Sequence, residues 1–375
     1  MPHYDHLVGQ NNVRHLIDTP ALMLERAAFE HNVALMAERM AAQGKVLRPH
    51  AKTHRCVEIA KQQIAAGAVG ICCAKLGEAE IFASAGIKDI LITSPVVTST
   101  GLARLVALHQ RTSALKQTVD DVRAVEALAA LIQDKPLTVL IDIDPGIRRT
   151  GVVDAEQAVA VAEAVRASNG KLVYGGVQFY CGAEQHIEAF EERRSALAER
   201  EAHARQVIAA LTQIGFAPPV VTGSGTGTHE IDLMSDFFTE YQCGSYIFMD
   251  RQYELCALGE AEATAGFQPA LFVDASIIHA VVPGMVTIDT GYKALSTDGG
   301  TPRIVTPGFE SAGFAFMGDE HGALFGYAAL PQLGQRISMT PPHCDPTVNL
   351  YDRIFVMDGE RLSAIWAIDA RGASA

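Results

Sequence analysis

The sequence predicts an α/β protein: an N-terminal (β/α)8 barrel of the TIM type followed by a mainly antiparallel β domain. Three observations carry this expectation. Short apolar runs alternate with Ala-rich amphipathic segments from about residue 21 to about residue 250, the pattern of parallel βαβ units. Roughly eight such units in roughly 230 residues suit a closed barrel better than an open, doubly wound sheet, which stays as the alternative. Beyond about residue 262 the helical period fades, and β-branched residues, Gly and Pro dominate as far as Ala370.

In chain order, the candidate strands are 21–24, 45–50, 69–74, 89–93, 115–119, 137–144, 172–180, 218–223 and 239–247. Candidate helices lie between them at 27–43, 55–66, 76–85, 100–110, 121–133, 154–168, 186–214 and 227–235. In the second part, Leu271-Phe272-Val273, Met285–Asp289 and Arg353–Met357 read as strands. The expected division is a barrel over 21–260, with 1–20 and 261–375 forming the β domain and Gly259–Phe267 as linker. Trp366 reads as core, and His3, His6 and His15 as a mobile polar arm. Glu191-Glu192-Arg193-Arg194 reads as a solvated helix face laced by i,i+3 and i,i+4 pairs.

Composition narrows the function classes. A chain of 375 residues that is 49% hydrophobic can bury a large core. Its net charge of −13 argues against nucleic acid or an anionic membrane as partner. No stretch approaches the roughly 20 apolar residues of a membrane span. Met1–His6 is polar, without the apolar centre of a signal peptide, so the expectation is a cytoplasmic protein. The seven cysteines form no paired framework and read as reduced, mostly buried thiols.

The chemistry gathers at strand ends, where barrels place their sites. In Val46–Arg55 an extended chain would set Arg48, His50, Lys52 and His54 on one face. Neighbouring cations disfavour a charged lysine, and a less basic Lys52 could attack a carbonyl and form a Schiff base. The alternative is a solvated basic turn. Thr222-Gly223-Ser224-Gly225-Thr226-Gly227-Thr228 follows an apolar run, and its alternating glycines let backbone N–H groups approach an anion. It reads as a phosphate cradle or as a structural tight turn. Arg149, on the loop after Asp142 and Asp144, could donate to a ring nitrogen or pair with either aspartate.

In an extended Pro341–Asn349 segment, His343 and Asp345 point one way and Cys344 the other. An imidazole with a carboxylate suits Mn2+, Mg2+ or Zn2+, although a His-x-Asp pair more commonly means a surface ion pair or a hydrogen-bonded core histidine. His186, at a helix start after Tyr180-Cys181-Gly182, is a candidate general base or a histidine without function.

Together these segments resemble the D-threonine aldolase and D-serine dehydratase family, whose members have the alanine-racemase-type fold. Arg48-Pro49-His50-Ala51-Lys52-Thr53-His54 is similar to the family's cofactor-lysine motif, and the likeness runs from Asp18 to Gly372. The resemblance implies pyridoxal 5′-phosphate joined to Lys52, with Thr222–Gly227 and Gly244-Ser245 at its phosphate. It further implies Arg149 at the pyridine nitrogen, Tyr180 near the cofactor, His186 as base, and His343 and Asp345 as metal ligands. The dehydratase branch resembles itself in a His-x-Cys pair. The Asp at 345 therefore points to the aldolase branch and to Mn2+, with Mg2+ or Zn2+ as alternatives. Cys181 and Ser224 depart from residues common in the family.

The implied activity is cleavage of a small D-3-hydroxy amino acid to glycine and an aldehyde by a homodimeric lyase. The alternatives are a D-serine or D-threo-3-hydroxyaspartate dehydratase, a racemase, or a non-catalytic pyridoxal-phosphate homeostasis protein.

Overall fold

The computed structural model describes residues 4–260 and 262–375, so His3 lies outside the described residues. After β1 (Ala21–Glu25) come eight parallel strands: β2 (Val46–Leu47), β3 (Ile71–Cys73), β4 (Asp89–Ile92), β5 (Ala114–Val119), β6 (Leu137–Ile143), β7 (Leu172–Phe179), β8 (Val221–Gly223) and β9 (Glu240–Tyr241). They pair in the order β2-β9-β8-β7-β6-β5-β4-β3, and a parallel bridge between His50 and Cys72 closes the ring. The helices are α1 (Arg26–Ala42), α2 (Val57–Ala65), α3 (Leu76–Ser84), α4 (Ser99–Arg111), α5 (Val122–Leu131), α6 (Ala155–Ala167), α7 (Phe190–Gln213) and α8 (His229–Leu233). This is the barrel that the alternation of patterns predicted.

Local chemistry explains the helix starts. Asp121 and Asp154 each accept a backbone N–H of the first turn, of Arg123 and Gln157, satisfying donors that a helix end leaves open. In α6 the buried residues Ala158, Val161, Ala162 and Val165 recur at helical spacing and form the stripe facing the sheet.

The remaining strands are β10 (Leu271–His279), β11 (Met285–Ile288), β12 (Arg303–Ile304), β13 (Gly313–Phe316), β14 (Gly322–Phe325), β15 (Arg336–Thr340), β16 (Arg353–Asp358) and β17 (Arg361–Ala367). Among themselves they pair antiparallel. Two short helices, α9 (Arg251–Glu254) and α10 (Cys344–Val348), lie near the junction of the two sheets.

Three expectations need correction. Residues 21–25 do not open the barrel. β1 pairs antiparallel with β10 and parallel with β16, inside the second sheet. Its residues Ala21–Leu24 are buried on both faces, so the apolar run fits a central strand of either sheet, and the closed ring has no edge for a ninth strand. Second, the N-terminal segment is no free arm. His6 and His15 are exposed, but Tyr4, Leu7, Val13 and Ile17 pack against Phe355, Met357 and Leu362. Third, Arg193 is fully buried and donates to the carbonyls of Ile187 and Ala257, whereas Glu191 and Arg194 pair at the surface as expected.

Trp366 is buried, edge-on to Phe29. All seven cysteines are free and buried. No helix among the described residues is long and apolar enough to cross a membrane.

Candidate active site

The stretch after β2 leaves the extended conformation at once. Residues Ala51–Thr53 form a 3-10 turn, so the four basic side chains do not share a face. Arg48 turns into the barrel and pairs with Asp89 at 2.6 Å and Glu240 at 2.9 Å. His54 is buried edge-on to Phe82. His50 is buried with Nε2 3.1 Å from Thr93 Oγ1.

Lys52 presents its amine to the cavity and to a carboxylate there, with Nζ 3.3 Å from Asp345 Oδ2. The Asp345 charge raises Lys52 above an ordinary lysine and outweighs burial. This overturns the expectation of a less basic Lys52: the decisive neighbour is an anion brought in from the second domain, not the cations adjacent in sequence.

Asp345 lies in the first turn of α10, with His343 just before that helix. Burial pushes the Asp345 carboxyl up, but Lys52 and His343 hold it well below the usual carboxylate range. Ser245 Oγ is 3.3 Å from its other oxygen. Although a helix start replaces the expected strand, both His343 and Asp345 face the same cavity. Cys344 is buried, its N–H donating to Asp250 at 2.8 Å. His343 Nδ1 lies 2.8 Å from Asp298 Oδ2, which leaves Nε2 as its free nitrogen.

The cavity, about 300 Å3, is bordered by Lys52, Arg149, Tyr180, His186, Gly225, Thr226, Gly244, Ser245, His343 and Asp345. The His186 ring sits 4.7 Å from that of Tyr253 and 6.3 Å from that of His343. Its Nδ1 is buried without a partner. Burial, helped by the nearby His343, lowers it to about 4, so it is neutral at neutral pH. Arg149 makes no ion pair among the described residues, and its guanidinium carbon lies 5.9 Å from the Tyr180 ring centre. Asp144 instead accepts from the N–H groups of Gly146 and Arg148, and Asp142 from Gln178 and Thr150.

The Gly-rich loop divides. Gly225 and Thr226 face the cavity, while Thr222, Gly223, Ser224 and Gly227 do not border it. Thr222 accepts from Gln242, and a Cβ at Gly223 would lie 1.9 Å from the Phe179 carbonyl. Ser224, at φ +66°, turns its hydroxyl toward Cys243, away from the cavity. The sequence reading missed Tyr253, Thr53 and Gln242 in the cavity wall and Asp298 behind His343. Only Asp298 carried a signal, as an acidic residue in a Gly-rich loop, and that signal is too common to use.

A family model described as the alanine racemase N-terminal domain matches residues 24–252, and one described as a putative serine dehydratase domain matches 270–357. A D-threonine aldolase from Arthrobacter sp. is 37% identical over 365 residues, 96% of this chain and 94% of that protein. A 3-hydroxy-D-aspartate aldolase from Paracoccus denitrificans is 34% identical over 361 residues, 95% and 92% of the two. The chain belongs to the D-threonine aldolase and D-serine dehydratase family. The crystal structure of a family member, a D-threonine aldolase from Filomicrobium marinum, superposes with a TM-score of 0.92 at 36% identity, covering 96% and 98% of the chains. The D-threo-3-hydroxyaspartate dehydratase from Delftia sp. HT23, also of this family, gives 0.82 at 30% identity over 96% and 99%. Its structures include a histidine-to-alanine variant and, two positions on, a cysteine-to-alanine variant in a metal-free form.

The alanine-racemase-type fold implies pyridoxal phosphate, and the residues present fit it. An amine projects into the cavity, the buried Thr226 hydroxyl lacks a partner, and Arg149 is unpaired by any carboxylate among the described residues. Among the described residues no group of three or more His, Cys, Asp or Glu side chains is placed to hold a metal. His343 and Asp345 contribute two donors of the hard-to-borderline kind, leaving further positions open to water or substrate.

Proposed function

We propose that this protein is a pyridoxal-phosphate- and divalent-metal-dependent aldolase that cleaves D-3-hydroxy amino acids of the D-threonine type to glycine and an aldehyde. The observation that carries this reading is one cavity bordered by Lys52, His186, His343 and Asp345, with aspartate rather than cysteine two residues after the histidine. In the reading, Lys52 would hold the cofactor, Gly225, Thr226, Gly244 and Ser245 would receive its phosphate, and Tyr180 and Arg149 would line its ring, with Arg149 at the ring nitrogen. A permanent guanidinium there disfavours a proton on that nitrogen. His343 and Asp345 hold the metal, with Mn2+ favoured over Mg2+ or Zn2+.

Pyridoxal phosphate supplies a sink for the electron pair of the breaking Cα–Cβ bond, and the divalent ion a Lewis acid at the β-hydroxyl. His186, neutral at neutral pH, accepts the β-hydroxyl proton. The proton that His186 takes up balances the one that Cα gains on becoming glycine. A cytoplasmic homodimer belongs to the same reading, its second domain formed by residues 4–25 and 262–375 because β1 lies in the second sheet.

The test is product analysis after incubation with D-threonine, pyridoxal phosphate and Mn2+. Glycine with acetaldehyde is expected. 2-Oxobutyrate with ammonia would establish the second reading, a dehydratase, which the 30%-identical dehydratase structures favour.

A further inference from the structure

Gln185 sits immediately before His186 in the 3-10 turn Ala183–His186 and is 1% exposed. Its amide reaches across to the Gly-rich loop. Oε1 accepts the Gly227 N–H at 2.9 Å, while Nε2 donates to the Cys181 carbonyl at 3.0 Å and to Thr228 Oγ1 at 3.2 Å. The orientation of the amide is forced, because an N–H only donates and a carbonyl only accepts. The Thr228 hydroxyl in turn accepts the Gly225 N–H at 3.2 Å and donates to the buried Asp232 at 2.6 Å. Every polar atom of the Gln185 side chain is thus engaged, and two of its contacts reach the loop.

The fit is also steric. A Cβ at Gly225 would lie 2.3 Å from Gln185 Oε1, and one at Gly227 would lie 2.0 Å from the Gln185 carbonyl oxygen. Glycines at these positions let the loop close onto Gln185. On the other side of this contact, Gly225 and Thr226 face the cavity, as do Ala183 and His186 from the turn.

We infer that Gln185 is a positioning residue: its side chain holds the Gly225–Thr228 loop in the shape that accepts a phosphate group and ties that loop to the turn carrying His186. This deepens the proposed function and rests on its reading of the cavity as the pyridoxal-phosphate site. The alternative of an ordinary buried glutamine predicts a general loss of stability with no preference for the phosphate.

The test is equilibrium binding of pyridoxal 5′-phosphate and of pyridoxal, which lacks the phosphate, to the cofactor-free full-length protein. The proteins compared are the wild type, Gln185→Ala, Thr228→Val and Thr228→Ser. Gln185→Ala and Thr228→Val should lose roughly tenfold or more in affinity for the phosphate form while pyridoxal binding stays within about twofold. Thr228→Ser, which keeps the hydroxyl, should bind both as the wild type does. Equal losses for the two ligands, or no loss, would overturn the inference. If Gln185→Ala does not fold, Thr228→Val decides in the same way.

At saturating pyridoxal phosphate, Gln185→Ala should also lower kcat for D-threonine cleavage. Full kcat in Gln185→Ala would overturn the tie to His186. A wild-type protein that binds the two ligands equally would instead refute the phosphate cradle itself, which separates the two failures.

Discussion

Lys52 Nζ stands 3.3 Å from Asp345 Oδ2, which joins the end of the first barrel strand to a helix of the C-terminal region. Each group is held in its charged form by the other. Asp345→Asn leaves Lys52 without its counter-charge. Because the Lys52 side chain keeps 38% of its surface, the cost should fall between those of exposed and fully buried pairs, about 1–3 kcal/mol. The folded carboxyl lies below its ordinary 3.8, so the pair's stabilisation is present above that value and is lost as pH falls through the lower, folded value. Asp345→Asn should therefore show a shallower acid limb in urea unfolding; an unchanged limb would refute the pairing.

Lys52→Ala should fold and yet fail to develop the visible absorption band of lysine-bound pyridoxal phosphate. A variant that keeps the band would remove Lys52 from the site.

Asp298 touches no part of the proposed metal position but fixes the His343 ring through Nδ1. Carboxylate partners of this kind orient a ligating histidine, and losing one typically costs about 10–100-fold in metal affinity. Asp298→Ala should weaken Mn2+ binding by that order in titration calorimetry while pyridoxal-phosphate binding is retained. Unaltered Mn2+ affinity would count against His343 as a ligand. Chelation of the metal from the wild type should abolish aldehyde formation and leave the bound cofactor in place.

His54 and His229 are fully buried, and burial lowers them to about 4 and about 3 from 6.5. Below pH 6.5 the unfolded chain takes up protons that the folded chain refuses, so stability falls as pH drops from 6.5 toward 4. Each histidine contributes a slope of about 1.4 kcal/mol per pH unit in that window. His229→Gln should flatten this part of the curve in denaturant titrations. A slope equal to the wild type would show that His229 is protonated in the folded state.

Much of the architecture was legible from periodicity. The eight barrel strands and their helices follow the alternation of apolar runs and amphipathic segments, because each pattern is local and repeats within a few residues. Lys52, His186, Gly225, Thr226, His343 and Asp345 were visible as chemistry-bearing types at strand ends and in one short motif, and Gly244 and Ser245 only through the family resemblance. β1 was misplaced because burial on both faces erases the alternation that would tell one sheet from another. Tyr253 and Gln185 were invisible because a buried Tyr or Gln has no local mark of its purpose.

The sequence by itself determined the order of strands and helices, the change of pattern past residue 262, and the residue types available for chemistry. Those follow from side-chain period, backbone propensity and the functional groups themselves, all of which act at short range. Only the tertiary structure decided which charge Lys52 meets, which sheet takes β1, and that Gln185 braces the Gly-rich loop. Each depends on groups brought together by chain closure, and a charge or a hydrogen bond acts on whatever stands within a few ångströms, however far away it is in sequence.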